Sequence, residues 1–226
     1  MDDLDFSRFS HIFFDFDGTL CASEADIALA WRRVMDSVGV YNPDFDRIFR
    51  VGPSLADMTE ALFPGLPHDK KEEVISCFKK TYDNSDFPCT EPYPWITSWL
   101  EALCSSGHTL FILTNKRQKP TNFLVDKLGW RELFSGVICQ DTFSVAGVKK
   151  TEMMKIALQK YLLPLEQVLM VGDTLEDVKT GKVNKVSTAA VLWGYGKRCE
   201  LEESECDFLI SSEEIGIFLQ KGNGQR

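Results

Sequence analysis

Short, almost purely apolar runs punctuate the chain: Ile12-Phe13-Phe14, Leu110-Phe111-Ile112-Leu113, Val137-Ile138-Cys139, Val168-Leu169-Met170-Val171 and Ala189-Ala190-Val191-Leu192, with Phe208-Leu209-Ile210 a shorter sixth. None alternates apolar with polar, and near-continuous apolarity marks a strand covered on both faces. Between the runs, apolar residues recur at helical spacing. Ile96, Trp99, Leu100 and Leu103 form one such set, and Phe123, Leu124 and Leu128 another; Met153, Met154, Ala157, Leu158 and Tyr161 form a third. From residue 92 onward strands and helices alternate, which predicts a doubly wound α/β fold: a parallel sheet with helices on both faces.

Residues 21–91 break that rhythm. Ile27, Trp31, Val34, Met35 and Val38 predict an amphipathic helix closed by Gly39, and Val74, Ile75, Phe78 and Tyr82 predict another, with a Leu55–Phe63 segment between them. No strand is expected there, and the first strand is expected to end at about Leu20. The chain therefore divides into an α/β core over 1–20 and 92–226 and an inserted small helical cap domain over 21–91. Lys221–Arg226 is expected to be a loose tail.

Three polar clusters each follow an apolar run. They are Asp15-Phe16-Asp17-Gly18-Thr19-Leu20, Thr114-Asn115, and Gly172-Asp173-Thr174-Leu175-Glu176-Asp177. Ligands of open parallel sheets bind beyond the carboxyl ends of the strands, so these clusters are expected to converge on one crevice. Asp15, Asp17 and Asp173 brought together would repel strongly unless a cation sat among them. Oxygen ligands without His or Cys point to a hard ion, magnesium. Carboxylates, a metal, a hydroxyl and a lysine suit phosphoryl transfer, where charge spreads over phosphate oxygens.

Composition narrows the partners. The 226 residues, 44% hydrophobic and 26% charged, are those of a globular domain, which excludes a wholly disordered chain. A net charge of −9 repels phosphate backbones and anionic lipid, so neither nucleic acid nor a membrane surface is an expected partner. An anionic substrate must then be met by local cations, metal or N–H groups. The seven cysteines form no Cys-x-x-Cys and are odd in number, which argues against a disulfide framework or a zinc site. Met1-Asp2-Asp3-Leu4-Asp5 is acidic where a signal peptide would be basic, and no apolar run could span a bilayer, so a cytoplasmic protein is expected.

Asp-x-Asp-Gly-Thr-Leu, then Thr-Asn, then Lys, then Gly-Asp-x-x-x-Asp resembles the motif series of haloacid dehalogenase-like (HAD) phosphatases. Gly52-Pro53-Ser54, Tyr93-Pro94, Thr114-Asn115-Lys116 and Trp193-Gly194-Tyr195-Gly196 are similar to stretches in its phosphoglycolate phosphatase-like branch, which carries a small helical cap. The resemblance implies that Asp15 is the nucleophile, forming an aspartyl-phosphate. It implies that Asp17 protonates the leaving oxygen and later deprotonates water, with a pKa raised by neighbouring carboxylates. Thr114 would hydrogen-bond the phosphoryl group. Gly18, Thr19, Asn115, Lys116 and Gly52 would lie against substrate. Magnesium would be held by Asp15, the Asp17 carbonyl and Asp173, with Asp177 supporting.

Lys149 and Lys150 compete for the lysine position. The register Lys150-Thr151-Glu152-Met153-Met154-Lys155-Ile156-Ala157-Leu158 resembles the Lys-x-x-x-x-x-x-Ala-Leu form of some relatives and selects Lys150. Departures from the family pattern are Ala22 for Asp, with Ser23 as the expected cap of the first cap helix, Trp95 for Gly, and Lys185 for Gly. Asp173 is expected to cap the helix behind it as well as bind metal. Gly194-Tyr195-Gly196 lacks the third glycine of a dinucleotide loop. Trp31 and Phe78 are expected to pack the cap rather than form a binding box.

The expected function is magnesium-dependent hydrolysis of a small phosphorylated metabolite, phosphoglycolate leading, by a monomer or small homo-oligomer. A phosphomutase of the same fold, or a non-catalytic regulatory protein that retains it, are the rivals.

Overall fold

A computed structural model describes residues 4–143 and 148–223, with side chains up to residue 220. The core is one six-stranded parallel sheet. In chain order its strands are β1 (His11–Phe14), β4 (Thr109–Thr114), β5 (Phe134–Cys139), β6 (Val168–Gly172), β7 (Ser187–Val191) and β8 (Phe208–Ile210). They lie in the order β5-β4-β1-β6-β7-β8. The chain winds outward from β1 through β4 and β5, then returns to pair β6 on the other side of β1. Winding thus reverses at the β1–β6 boundary, where the carboxyl ends of the strands leave a crevice.

Side chains alternate across the sheet, and both sides are buried. Ile12 and Phe14 enter one apolar cluster with Trp99 and Leu124, while Phe13 points into the other with Phe111, Met153 and Met154. That is why the strands read as unbroken apolar runs. The first cluster takes α5 (Ile96–Ser105) and α6 (Gln118–Lys127), the second α7 (Lys150–Lys160). Beyond them lie α8 (Leu175–Val183), α9 (Arg198–Glu202) and α10 (Ser212–Asn223). The tail expected over Lys221–Arg226 begins inside α10, and its last three residues lie outside the described ones. Among the described residues no helix is long and apolar enough to cross a membrane.

Four helices are inserted after β1: α1 (Glu24–Val38), α2 (Phe45–Ile48), α3 (Leu55–Leu62) and α4 (His68–Tyr82). Trp31 of α1 and Phe78 of α4 meet with ring centroids 4.6 Å apart. Two expectations are corrected. β1 ends at Phe14 rather than near Leu20, because residues 15–20 turn back on themselves, with Leu20 N–H donating to Phe16 O at 2.9 Å. The insertion also starts with a strand residue pair, β2 (Cys21–Ala22), antiparallel to β3 (Glu91–Pro92). Two residues are too few to show a period. Lys185 takes φ +59°, a left-handed conformation that costs a side-chain-bearing residue free energy.

Candidate active site

The turn after β1 places Asp15 at the reversal point, its N–H donating to Val171 O of the neighbouring strand at 2.9 Å. Asp173 follows β6 and Asp177 lies one turn into α8. Oxygens of Asp15, Asp173 and Asp177 all lie within 4.8 Å of one another, and all three residues are buried. Burial, with Asp177 and Asp173 nearby, pushes the Asp15 carboxyl well above the usual carboxylate range, although Lys150 opposes this. Burial also raises Asp173, to about 6, and Asp177 adds to it.

Lys150, first residue of α7, answers that charge. Its Nζ sits 2.7 Å from Asp15 Oδ1 and 2.6 Å from Asp177 Oδ1, and the side chain is almost fully buried. Burial disfavours the ammonium, but Asp15 and Asp177 outweigh it and raise its pKa. Lys149 is exposed at the N-cap.

With all three carboxylates ionised, one ammonium would leave two negative charges in a buried cluster of carboxylate oxygens. That surplus and donor chemistry fit one small divalent ion. The three acids do not offer themselves equally. Asp177 is already engaged: Oδ1 by Lys150, and Oδ2 by the N–H and hydroxyl of Thr174 at 3.1 and 2.6 Å. Thr174, not Asp173, is therefore the N-cap of α8. Asp173 instead accepts from the Thr19 hydroxyl at 2.9 Å and from Tyr195 N–H at 2.7 Å.

Gly18 and Thr19, expected against substrate, do not line the cleft that Asp15 and Asp17 face, and Thr19 donates its hydroxyl to Asp173. Gly18 has φ +84°, and a Cβ there would stand 2.3 Å from Asp173 Oδ2. Gly18→Ala is expected to cost at least about 1 kcal/mol from the backbone alone. It should also displace Asp173. Thermal unfolding and magnesium titration together check this: an unchanged metal midpoint would separate Gly18 from the acidic cluster.

Asp17 stands apart from the three acids. Among the described residues it does not join the carboxylate cluster in which it was expected, and its two oxygens meet Lys116 Nζ at 2.9 and 3.2 Å. Lys116 also donates to the Tyr82 hydroxyl, from the last turn of α4, so a helix of the insertion touches the partner of Asp17. Burial disfavours the Lys116 ammonium, yet Asp17 and Tyr82 raise its pKa on balance. Next to it, Arg117 pairs with Asp83, the residue that closes α4.

Thr114, Asn115, Lys116, Lys150, Asp15 and Asp17 face a cleft of about 780 Å³ counted out to its open mouth. Gly52 lines it too, its carbonyl accepting from Asn115 Nδ2 at 3.1 Å, and Asn115 also reaches Glu176 at 2.8 Å. Trp31 and Phe78 pack the insertion as expected and, in addition, line this cleft beside Ile27, Leu55 and Met58. Tyr82 and Glu176 were not legible as site residues. Tyr82 reads as one more apolar position of an amphipathic helix, and Glu176 as a variable place between the two aspartates of its motif.

The family model for haloacid dehalogenase-like hydrolases matches residues 12–191. A phosphoglycolate phosphatase of Aquifex aeolicus is 34% identical over 203 residues, covering 88% of this chain and 91% of its own. A pyrophosphatase of Bacillus cereus is 27% identical over 208 residues, covering 90% and 92%. A haloacid dehalogenase-like hydrolase from Streptococcus pneumoniae superposes with a TM-score of 0.81 at 26% identity, covering 95% of this chain and 99% of that one. The chain belongs to the haloacid dehalogenase-like hydrolase family, as an enzyme of its phosphatase kind.

Proposed function

We propose that the protein is a magnesium-dependent phosphatase that hydrolyses a small phosphomonoester through an aspartyl-phosphate on Asp15. The observation that carries this reading is the buried contact of Lys150 with both Asp15 and Asp177 at the end of β1. An ammonium that close favours the ionised form of Asp15 against burial and gives the arriving phosphoryl oxygens a cation to meet.

Asp15, the Asp17 carbonyl and Asp173 would hold the ion, with Asp177 fixing Lys150 beside them. Bound there, a divalent ion supplies a Lewis acid that offsets repulsion between phosphate and carboxylate. An Asp15 carboxylate oxygen attacks phosphorus and the ester P–O bond breaks, its electron pair staying on the leaving oxygen. Asp17 gives that oxygen a proton, which requires Asp17 to be released from Lys116 as substrate enters. In the second half, Asp17 takes a proton from water as the water oxygen attacks phosphorus. Inorganic phosphate leaves and the Asp15 carboxylate is restored. Thr114, Asn115 and Lys116 would orient the phosphoryl group from the end of β4.

Helices α1–α4, the expected cap over 21–91, would close over the ester and exclude water. Exposed Arg50 and Lys79 on the cleft suit a leaving group with a second anionic end, as in phosphoglycolate. Phosphate release from a panel of small phosphoesters, with and without magnesium, tests the reading. Silence across the panel would exclude it.

A pH dependence follows from Asp173. Below about pH 6 a metal must displace its proton, and Asp15, whose carboxyl burial also raises, adds a second proton to displace. The half-saturating magnesium concentration should therefore rise by at least about tenfold per pH unit as pH falls. Magnesium titrations from pH 5 to 8 measure this, and a midpoint independent of pH would remove Asp173 from the ligands.

A further inference from the structure

The stretch Trp193-Gly194-Tyr195-Gly196, set aside as a cofactor loop, wraps the Asp173 side of the site. A Cβ on Gly194 would stand 2.2 Å from Asp173 Cβ, and one on Gly196 would stand 1.8 Å from the Asp173 carbonyl oxygen. Only glycine at both places lets this loop close on that residue. Between them, Tyr195 N–H donates to Asp173 Oδ2 at 2.7 Å. Its ring covers Gly18, where an added Cβ would meet Tyr195 Cδ2 at 2.6 Å.

The far end of the same side chain reaches the insertion. The N–H groups of Ser23 and Glu24 donate to the Tyr195 hydroxyl at 2.7 and 2.9 Å. Ser23 occupies the N-cap of α1 but makes no capping bond with its own side chain, contrary to expectation. A hydroxyl about 170 residues further along the chain does that work. Tyr195 therefore joins a buried carboxylate of the acidic cluster to the first turn of the helix that carries Ile27 and Trp31 into the cleft wall.

We propose that Tyr195 is a positioning residue that couples the acidic cluster to the cap: the state of Asp173 sets how firmly the start of α1 is held over the cleft. This rests on the phosphatase reading for its catalytic consequence, but not for the coupling itself. An ion drawing on Asp173 fixes that carboxylate, hence the Tyr195 backbone, hence the hydroxyl that caps α1. A ring that only filled space would need no hydroxyl aimed at two amides.

Tyr195→Phe keeps the ring and the backbone N–H and removes only the acceptor. Hydrogen exchange of residues 22–27 is read with and without saturating magnesium, in wild type and variant. Wild type is expected to gain protection there on adding magnesium; the variant is expected to exchange about five- to tenfold faster and lose the magnesium response, the scale of one helix cap. For the best ester of the panel, KM should rise by a similar factor while kcat changes by less than about twofold, a split that loss of general stability would not give.

No magnesium response at residues 22–27 in wild type overturns the coupling, as does a response that survives in the variant. An unchanged KM overturns its catalytic consequence. If no ester is cleaved by wild type, the phosphatase reading fails, and the exchange measurement still decides the coupling alone.

Discussion

Asp15→Asn is expected to lower magnesium-dependent phosphate release by about 10⁴-fold or more, as loss of a nucleophile does when no neighbour can replace it. Asp17, already occupied as acid and base in the proposed mechanism, lies outside the acidic cluster and does not replace Asp15. The substitution is isosteric, and Lys150 keeps Asp177 as a partner. Stability should move the other way. Asp15 has a pKa raised above its unfolded value, chiefly by burial, so its ionised form costs the folded state stability at neutral pH. Replacing it with a neutral group removes that cost, and the variant should unfold at the same temperature as wild type or higher. An inactive protein that is at least as stable separates a catalytic loss from a folding loss. Phosphate release and thermal unfolding on the same preparation measure both, and turnover within tenfold of wild type would exclude Asp15 as nucleophile.

How much of this was legible in the sequence depends on the length scale of each signal. The six core strands are visible because both of their faces are buried, so Val168–Val171 and Leu110–Leu113 stand out as unbroken apolar runs. Placement of Asp15, Thr114 and Asp173 at neighbouring strand ends followed from position after those runs. The β2–β3 pair was invisible because two residues carry no period. Local rules misplaced one cap and misread the bonding of another: Thr174 rather than Asp173 caps α8, and Ser23 sits at the N-cap of α1 as expected, but the Tyr195 hydroxyl replaces its side-chain bond. Contacts between insertion and core, such as Lys116 with Tyr82, join residues far apart in the chain. No spacing rule reaches that far. Lys149 and Lys150 differ by one position, and helix geometry separated them. The N-cap residue points out to water, while the first residue of α7 points into the site.

That one-position difference carries the second large expected effect. Lys150→Met should destabilise the fold by about 3–5 kcal/mol at pH 7, the cost of leaving buried charge without its partner. Lys149→Met, at an exposed position, should stay within about 0.5 kcal/mol of wild type. The pH dependence has a definite sign. In wild type the Lys150 pKa is raised by Asp15 and Asp177 against the opposing effect of burial, so its stabilising contribution is fully present at neutral pH and fades only in strong base. Without the ammonium, Asp15 rises further, and a carboxyl raised above its unfolded value destabilises while ionised. The deficit of Lys150→Met is therefore largest above pH 7 and shrinks as pH falls and Asp15 takes up a proton. Urea unfolding of both variants at pH 5 and pH 7 reads this directly. Equal stability of the two variants at pH 7 would mean that the buried ammonium does not hold the acids together, and with it would go the charge argument for a divalent ion between them.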